Sequence, residues 1–182
     1  MNIIKILVSG PLGAGKTTFI STFCHTCILT DRRVTSNRER RYKEKTTVAF
    51  DFGIAYFQGI KLYLYGTPGQ QRFFYFIPIL IKRCDYLLYL IDSSSPASLY
   101  RAKLLFEKFF VEKLSSFKNY LVAANKRDLP NVVPIDKIIR VMGISENRII
   151  ELIAKNKNSC KEAISKLICH EYLVKESHIQ DT

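Results

Sequence analysis

Residues 3–18 read IIKILVSGPLGAGKTT, and this stretch decides the fold. Ile3 to Val8 is a short apolar run of buried-strand length, and it passes directly into glycines. Gly10-Pro11-Leu12-Gly13-Ala14-Gly15-Lys16-Thr17 then matches G-x-x-x-x-G-K-[ST], placed after a strand and at the opening of a helix, where the motif has its meaning. The glycines let successive backbone amides turn inward around a phosphate, and the positive end of the following helix adds to that field. Gly10 to Thr18 are therefore expected to grip the phosphates of a nucleoside triphosphate. Lys16 would reach the β- and γ-phosphates, and the Thr17 hydroxyl would ligate Mg²⁺. The loop alone does not choose the base.

Outward from this unit, Lys16 to about Ile28 has helical spacing, whereas residues 30–46 are polar, charged and without apolar periodicity, as in a long mobile loop. Thr47 to Phe57 and Ile60 to Tyr65 are rich in β-branched and aromatic residues around Gln58-Gly59, which predicts an antiparallel hairpin. Gln70 to Lys82 reads as helical at least in part, interrupted or kinked near Pro78. Strands are expected at Tyr86–Ile91, Tyr120–Ala124 and Arg148–Leu152. Helices are expected at Pro96–Leu114 after the serines at 93–95, at Pro134–Met142 ending on Gly143, and from Cys160 to about Val174. This alternation predicts an α/β fold: a mostly parallel six-stranded sheet with one antiparallel strand and helices on both faces. With 182 residues and 47% hydrophobic content, a single domain over residues 1–182 suffices.

Asn125-Lys126-Arg127-Asp128 follows the strand at 120–124 and resembles the N-K-x-D guanine signature of the Ras-like small GTPase superfamily, the P-loop NTPase G-domain proteins. The chemistry agrees with the resemblance. A carboxylate accepts from both the ring N1 hydrogen and the 2-amino group of guanine, a donor pair that adenine lacks, so Asp128 is the expected specificity residue. Asn125 would brace the loops and the Lys126 stem would cover the base. Ile149-Ile-Glu-Leu-Ile-Ala154-Lys155 resembles the superfamily's last base-contacting segment, with the Ala154 amide meeting the guanine carbonyl and Ile153 standing where serine is usual.

Tyr65-Gly66-Thr67-Pro68-Gly69-Gln70 resembles the D-x-x-G-Q switch II motif, but Gly66 replaces the aspartate that supports the Mg²⁺ shell. That loss, with proline before the glycine, resembles prokaryotic proteins near the gliding-motility polarity GTPases and the Arf-like branch. Asp51 and Asp92 are alternative acceptors. Thr47 looks like the switch I threonine, since its separation from Gly69 resembles the Arf-like spacing and favours it over Thr46. The resemblance implies that Thr47 and Gly69 sense Mg²⁺ and the γ-phosphate, and that their release on hydrolysis frees both loops. It implies Gln70 and Lys16 as catalytic residues, orienting water and neutralising charge, with slow intrinsic turnover on the order of 10⁻⁴ to 10⁻² per second. An arginine finger is not assigned among Arg32, Arg33, Arg38, Arg40, Arg41 and Arg72.

The expected function is a GTP/GDP switch with effector, activating and exchange proteins as partners. A GTP-bound scaffold that does not cycle and a basic RNA-binding factor on a GTPase fold remain alternatives. The formal charge is +12, and Arg32 to Lys45 holds seven basic residues against Glu39 and Glu44. That stretch suits an acidic effector or an anionic membrane surface; with Tyr42 as its one aromatic it lacks a stacking platform for nucleic acid. Five cysteines form an odd set, and the start MNIIKILVSG lacks a secretory apolar segment, so a reducing cytoplasm is expected. No apolar stretch approaches the roughly 20 residues of a membrane span. Asn2 excludes the myristoylation glycine and the sequence ends without a CaaX box, leaving peripheral attachment at the inner membrane face as the membrane-bound alternative. Cys24-His-Thr-Cys27 has zinc-like spacing without a second pair, Cys169-His170 being the nearest substitute, so packing cysteines are expected.

Overall fold

Seven strands form one sheet: β1 (Ile3–Ser9), β2 (Thr26–Ile28), β3 (Asp51–Phe57), β4 (Ile60–Gly66), β5 (Tyr86–Asp92), β6 (Asn119–Asn125) and β7 (Ile149–Glu151). Their order is β2-β3-β4-β1-β5-β6-β7, so the strand that feeds the phosphate motif lies at the centre. β4, β1, β5, β6 and β7 run parallel to one another, while β3 is antiparallel to both β2 and β4. The computed structural model describes residues 3–29, 50–69 and 71–168. The helices are α1 (Lys16–Phe23), α2 (Ile77–Ile81), α3 (Pro96–Phe109), α4 (Ile135–Met142) and α5 (Lys157–Ile168).

The two-residue period of the strands divides the core into two layers. Ile4, Ile6 and Val8 of β1 and Tyr86, Leu88 and Leu90 of β5 pack with Phe19, Ile20 and Phe23 of α1 and Ile164 and Leu167 of α5. Leu7, Leu87, Tyr89 and Ile91 face the other way, toward α2, α3 and α4. Every residue of β5 is buried, which explains its unbroken apolar run. Each large side chain fully removed from water contributes roughly 1.5–3 kcal/mol. These two layers hold rigid the C-terminal ends of β1, β5 and β6, where the loops of interest begin.

The sheet has seven strands where six were expected, because the predicted helix over 16–28 stops at Phe23. Cys24 turns extended, the His25 amide donates to Ile54 O at 3.0 Å, and Thr26–Ile28 pairs antiparallel with β3. Gly53 permits this turn: a Cβ there would lie 2.5 Å from Cys24 Sγ. Near Pro78 the helical stretch is interrupted rather than kinked: a 3₁₀ segment at Gln71–Phe76 gives way to α2, and Pro78 lies in its first turn, where its missing amide costs nothing. The helix from Pro96 ends at Phe109 and continues as a 3₁₀ turn at Val111–Ser116. The hairpin turn is as read, with Gln58 and Gly59 both at positive φ (49° and 76°). The stretch at 30–46 with its arginines, Thr47, Gln70, the Arg72 side chain, Cys169-His170 and the part of the expected closing helix beyond residue 168 lie outside the described residues.

Candidate functional site

The phosphate motif forms a tight loop between β1 and α1. Gly10 has φ +141° and a Cβ there would meet Leu90 O at 2.3 Å; Gly15 has φ +98° and a Cβ would meet Asn125 Nδ2 at 2.2 Å. Both glycines are thus required by backbone conformation and by close approach. Lys16 is 7% exposed, and its Nζ donates to the carbonyls of Gly10 and Pro11 at 2.7 Å each. Burial pushes the Lys16 ammonium down to about 8, partly countered by the charge of Asp51. A buried cation whose partners are neutral carbonyls is primed for an anion, because a phosphate would restore the charge balance that burial disfavours.

Thr17 Oγ1 donates to Asp51 Oδ2 at 2.5 Å. Asp51, 4% exposed, opens β3 and stands opposite Gly66 in the antiparallel register. A Cβ on Gly66 would lie 3.1 Å from Asp51 Cβ, so the bare glycine leaves room for the Asp51 side chain. The hydroxyl and the carboxylate are hard oxygen donors side by side at the end of β1, a set that fits Mg²⁺. Of the two alternative acceptors, Asp51 is the one brought to Thr17. Asp92 is held elsewhere, by Lys126 and Ser94. Gly69 packs on the phosphate loop, where a Cβ would lie 3.0 Å from Leu12 Cδ1.

Asn125, at the end of β6 and 2% exposed, joins three segments. Its Nδ2 donates to Ala14 O at 2.8 Å and its Oδ1 accepts from the Ala154 amide at 2.9 Å. The phosphate loop, the 125–128 motif and the 152–155 turn are thereby fastened around a cavity of about 220 Å³. Gly15, Thr18, Asn125, Lys126, Asp128, Leu129, Ala154 and Lys155 line it. Seven of these were named from the sequence. Leu129 was not, since a leucine after the motif carries no chemical signal of its own. The Ala154 amide, which the sequence reading gives to a guanine carbonyl, donates here to Asn125 Oδ1.

Two further contacts fix the loop. Arg127 Nε donates to Glu151 at 2.7 Å and its Nη1 to Val133 O at 2.8 Å, clamping the motif to the end of β7. Lys126 has φ +67°, a left-handed conformation that is strained for a residue bearing a Cβ. The C-x-x-C pair lies outside any helix interior: Cys24 caps α1 and Cys27 sits in β2. Both are free thiols, and burial, followed by neighbouring Cys27 and Cys160, pushes Cys24 up to about 12. Such a thiol resists the deprotonation that metal ligation needs.

The model of the ADP-ribosylation factor family matches residues 2–171. The ADP-ribosylation factor-like protein alp41 of Schizosaccharomyces pombe is 23% identical over 169 residues, covering 90% of this chain and 84% of that protein. The uncharacterized protein MJ1339 of Methanocaldococcus jannaschii is 25% identical over 169 residues, covering 92% and 96%.

Proposed function

The chain belongs to the ADP-ribosylation factor family, a family of small GTP-binding proteins, and from that premise we propose that it is a GTP/GDP switch that hydrolyses GTP slowly at the site just described. One observation carries the reading. Two motifs 111 residues apart are joined by the Asn125 amide across one cavity, with Gly15 and Thr18 of the phosphate loop on one wall and Lys126 and Asp128 on another. That spacing suits a nucleotide whose base and phosphates are held by different loops.

In this reading Asp128 accepts from the N1 and 2-amino hydrogens of guanine. The backbone amides of residues 12–18 and the Lys16 side chain hold the phosphates in line. Thr17 and Thr47 ligate Mg²⁺, with Asp51 in the supporting role that Gly66 cannot fill. Bound Mg²⁺ would neutralise charge on the β- and γ-phosphates. Gly69 offers its amide to the γ-phosphate, and Gln70 orients the attacking water. The Thr17–Asp51 pair supports a metal shell, and so favours a cycling enzyme over a locked scaffold. The G domain spans residues 1–182.

Effector, activating and exchange proteins are the proposed partners, with the basic stretch from Arg32 to Lys45 facing an acidic partner or an anionic membrane surface. The proposed location is the cytoplasm, including the inner membrane face. Among the described residues no helix is long and apolar enough to cross a membrane. Single-turnover hydrolysis of bound GTP tests the enzymatic half. Turnover that falls roughly tenfold or more in Gln70→Leu supports it; identical rates in the two proteins, or no turnover in either, count against it.

A further inference from the structure

Asp92 ends β5 and pairs in register with Asn125 at the end of β6. Both of its oxygens are engaged. Oδ1 accepts from the Ser94 amide at 2.9 Å and from Ser94 Oγ at 2.5 Å, and Oδ2 accepts from Lys126 Nζ at 2.6 Å. The shelf beneath is rigid, since Ser93 donates to Asn125 O through its amide at 3.0 Å and its hydroxyl at 2.6 Å. The Asp92 side chain is 12% exposed and that of Lys126 33%. Burial works against the Asp92 charge, but hydrogen bonds from Lys126 and Ser94 outweigh it and hold the carboxyl below its ordinary range.

Lys126 lines the cavity assigned to the base, and its backbone is held at positive φ. A lysine stem is long and free to rotate, so lining a cavity does not by itself give it one position. Here the ammonium is anchored at its far end, which stretches the aliphatic stem between a fixed Cα and a fixed carboxylate. We propose that Asp92 is a positioning residue for the nucleotide base: by fixing the Lys126 ammonium it sets the lysine stem as a preformed wall of the base cavity. Preorganisation of this kind lowers the ordering cost of binding and slows release. Asp92 itself does not line the cavity. The inference rests on the guanine-site reading of Lys126 and Asp128.

The test is release of the fluorescent analogue mant-GDP from wild type, Asp92→Asn, Lys126→Met and the double variant. Asp92→Asn keeps shape and removes charge; Lys126→Met keeps most of the stem and removes the ammonium. Each single change is expected to speed release about tenfold, with the double variant no faster than the faster single, as for two residues acting as one unit. Asp92→Glu, which keeps a carboxylate for the mobile lysine, is expected to release more slowly than the isosteric Asp92→Asn; a packing role would give the reverse order. Should Asp92→Asn fail to fold, Ser94→Ala replaces it in the cycle with a smaller acceleration that vanishes beside Lys126→Met. Multiplicative effects in the double variant, or wild-type release from Asp92→Asn, overturn the inference while leaving the guanine site intact. A wild-type protein that holds no mant-GDP overturns both.

Discussion

Asp51 stands across the β3–β4 ladder from Gly66 and takes a 2.5 Å hydrogen bond from Thr17. A carboxylate absent from one strand is thus offered from its neighbour, at the end of the sheet where the phosphate loop begins. The approach is close, because a Cβ at 66 would lie 3.1 Å from Asp51 Cβ and 2.8 Å from Ile20 Cδ1, so a side chain there would make these neighbours shift.

Asp51→Asn is expected to raise the Mg²⁺ concentration needed to retain mant-GDP by about 10- to 100-fold, the usual cost of losing a supporting carboxylate. Gly66→Asp alone is expected to destabilise the protein, since two buried carboxylates would face one another. Asp51→Ala combined with Gly66→Asp is expected to recover Mg²⁺ dependence. Retention of mant-GDP by Asp51→Asn at wild-type Mg²⁺ levels would remove Asp51 from the metal shell.

Lys16 gives the site a pH dependence whose sign follows from its burial. Its ammonium titrates near 8 without ligand, and a bound polyphosphate raises that value, so binding takes up a proton above pH 8. Affinity for GDP is expected to be flat below about pH 7.5 and to fall by up to roughly tenfold per unit above about 8. Lys16→Arg, charged throughout, should remove the slope in titrations at several pH values. An unchanged slope in Lys16→Arg would assign the proton to another group.

Asn125→Ala strands Ala14 O and the Ala154 amide inside the protein. A loss of about 1–3 kcal/mol in urea unfolding is expected, with an unchanged m-value, together with weaker nucleotide binding. Unaltered stability would mean that the three loops hold their places without the asparagine.

Asp128→Asn exchanges two acceptor oxygens for one acceptor and one donor. The amide donor matches the 2-oxo group of xanthine, so preference is expected to move from GDP toward XDP by about 10²-fold or more in competition with mant-GDP. A variant that keeps its preference for GDP would show that the base is read elsewhere.

Much of this was legible because the deciding residues are contiguous. Gly10 to Thr17 carries its own backbone constraints, and the run from Tyr86 to Ile91 marks a strand buried on both faces whatever surrounds it. Thr26–Ile28 was not legible, because its strand character comes from pairing with Phe52–Ile54, and helical spacing outweighed it locally. Near Pro78 the sequence leaves interruption and kink undecided, because proline marks a helix start as readily as a break, and the preceding 3₁₀ segment decides for interruption. Asp51 and Asp92 could not be told apart by type. Cross-strand register carries one to Thr17, and a neighbouring lysine claims the other. Leu129 reached the cavity wall without any signal beyond its place after the motif.

The most direct measurement is displacement of mant-GDP from the purified protein by unlabelled nucleotides in Mg²⁺. GTP and GDP are expected to compete fully and ATP to leave the label bound at about 10²-fold higher concentration. Displacement by ATP as readily as by GTP would contradict the guanine site at Asp128, and with it the reading of this chain as a GTP-operated switch.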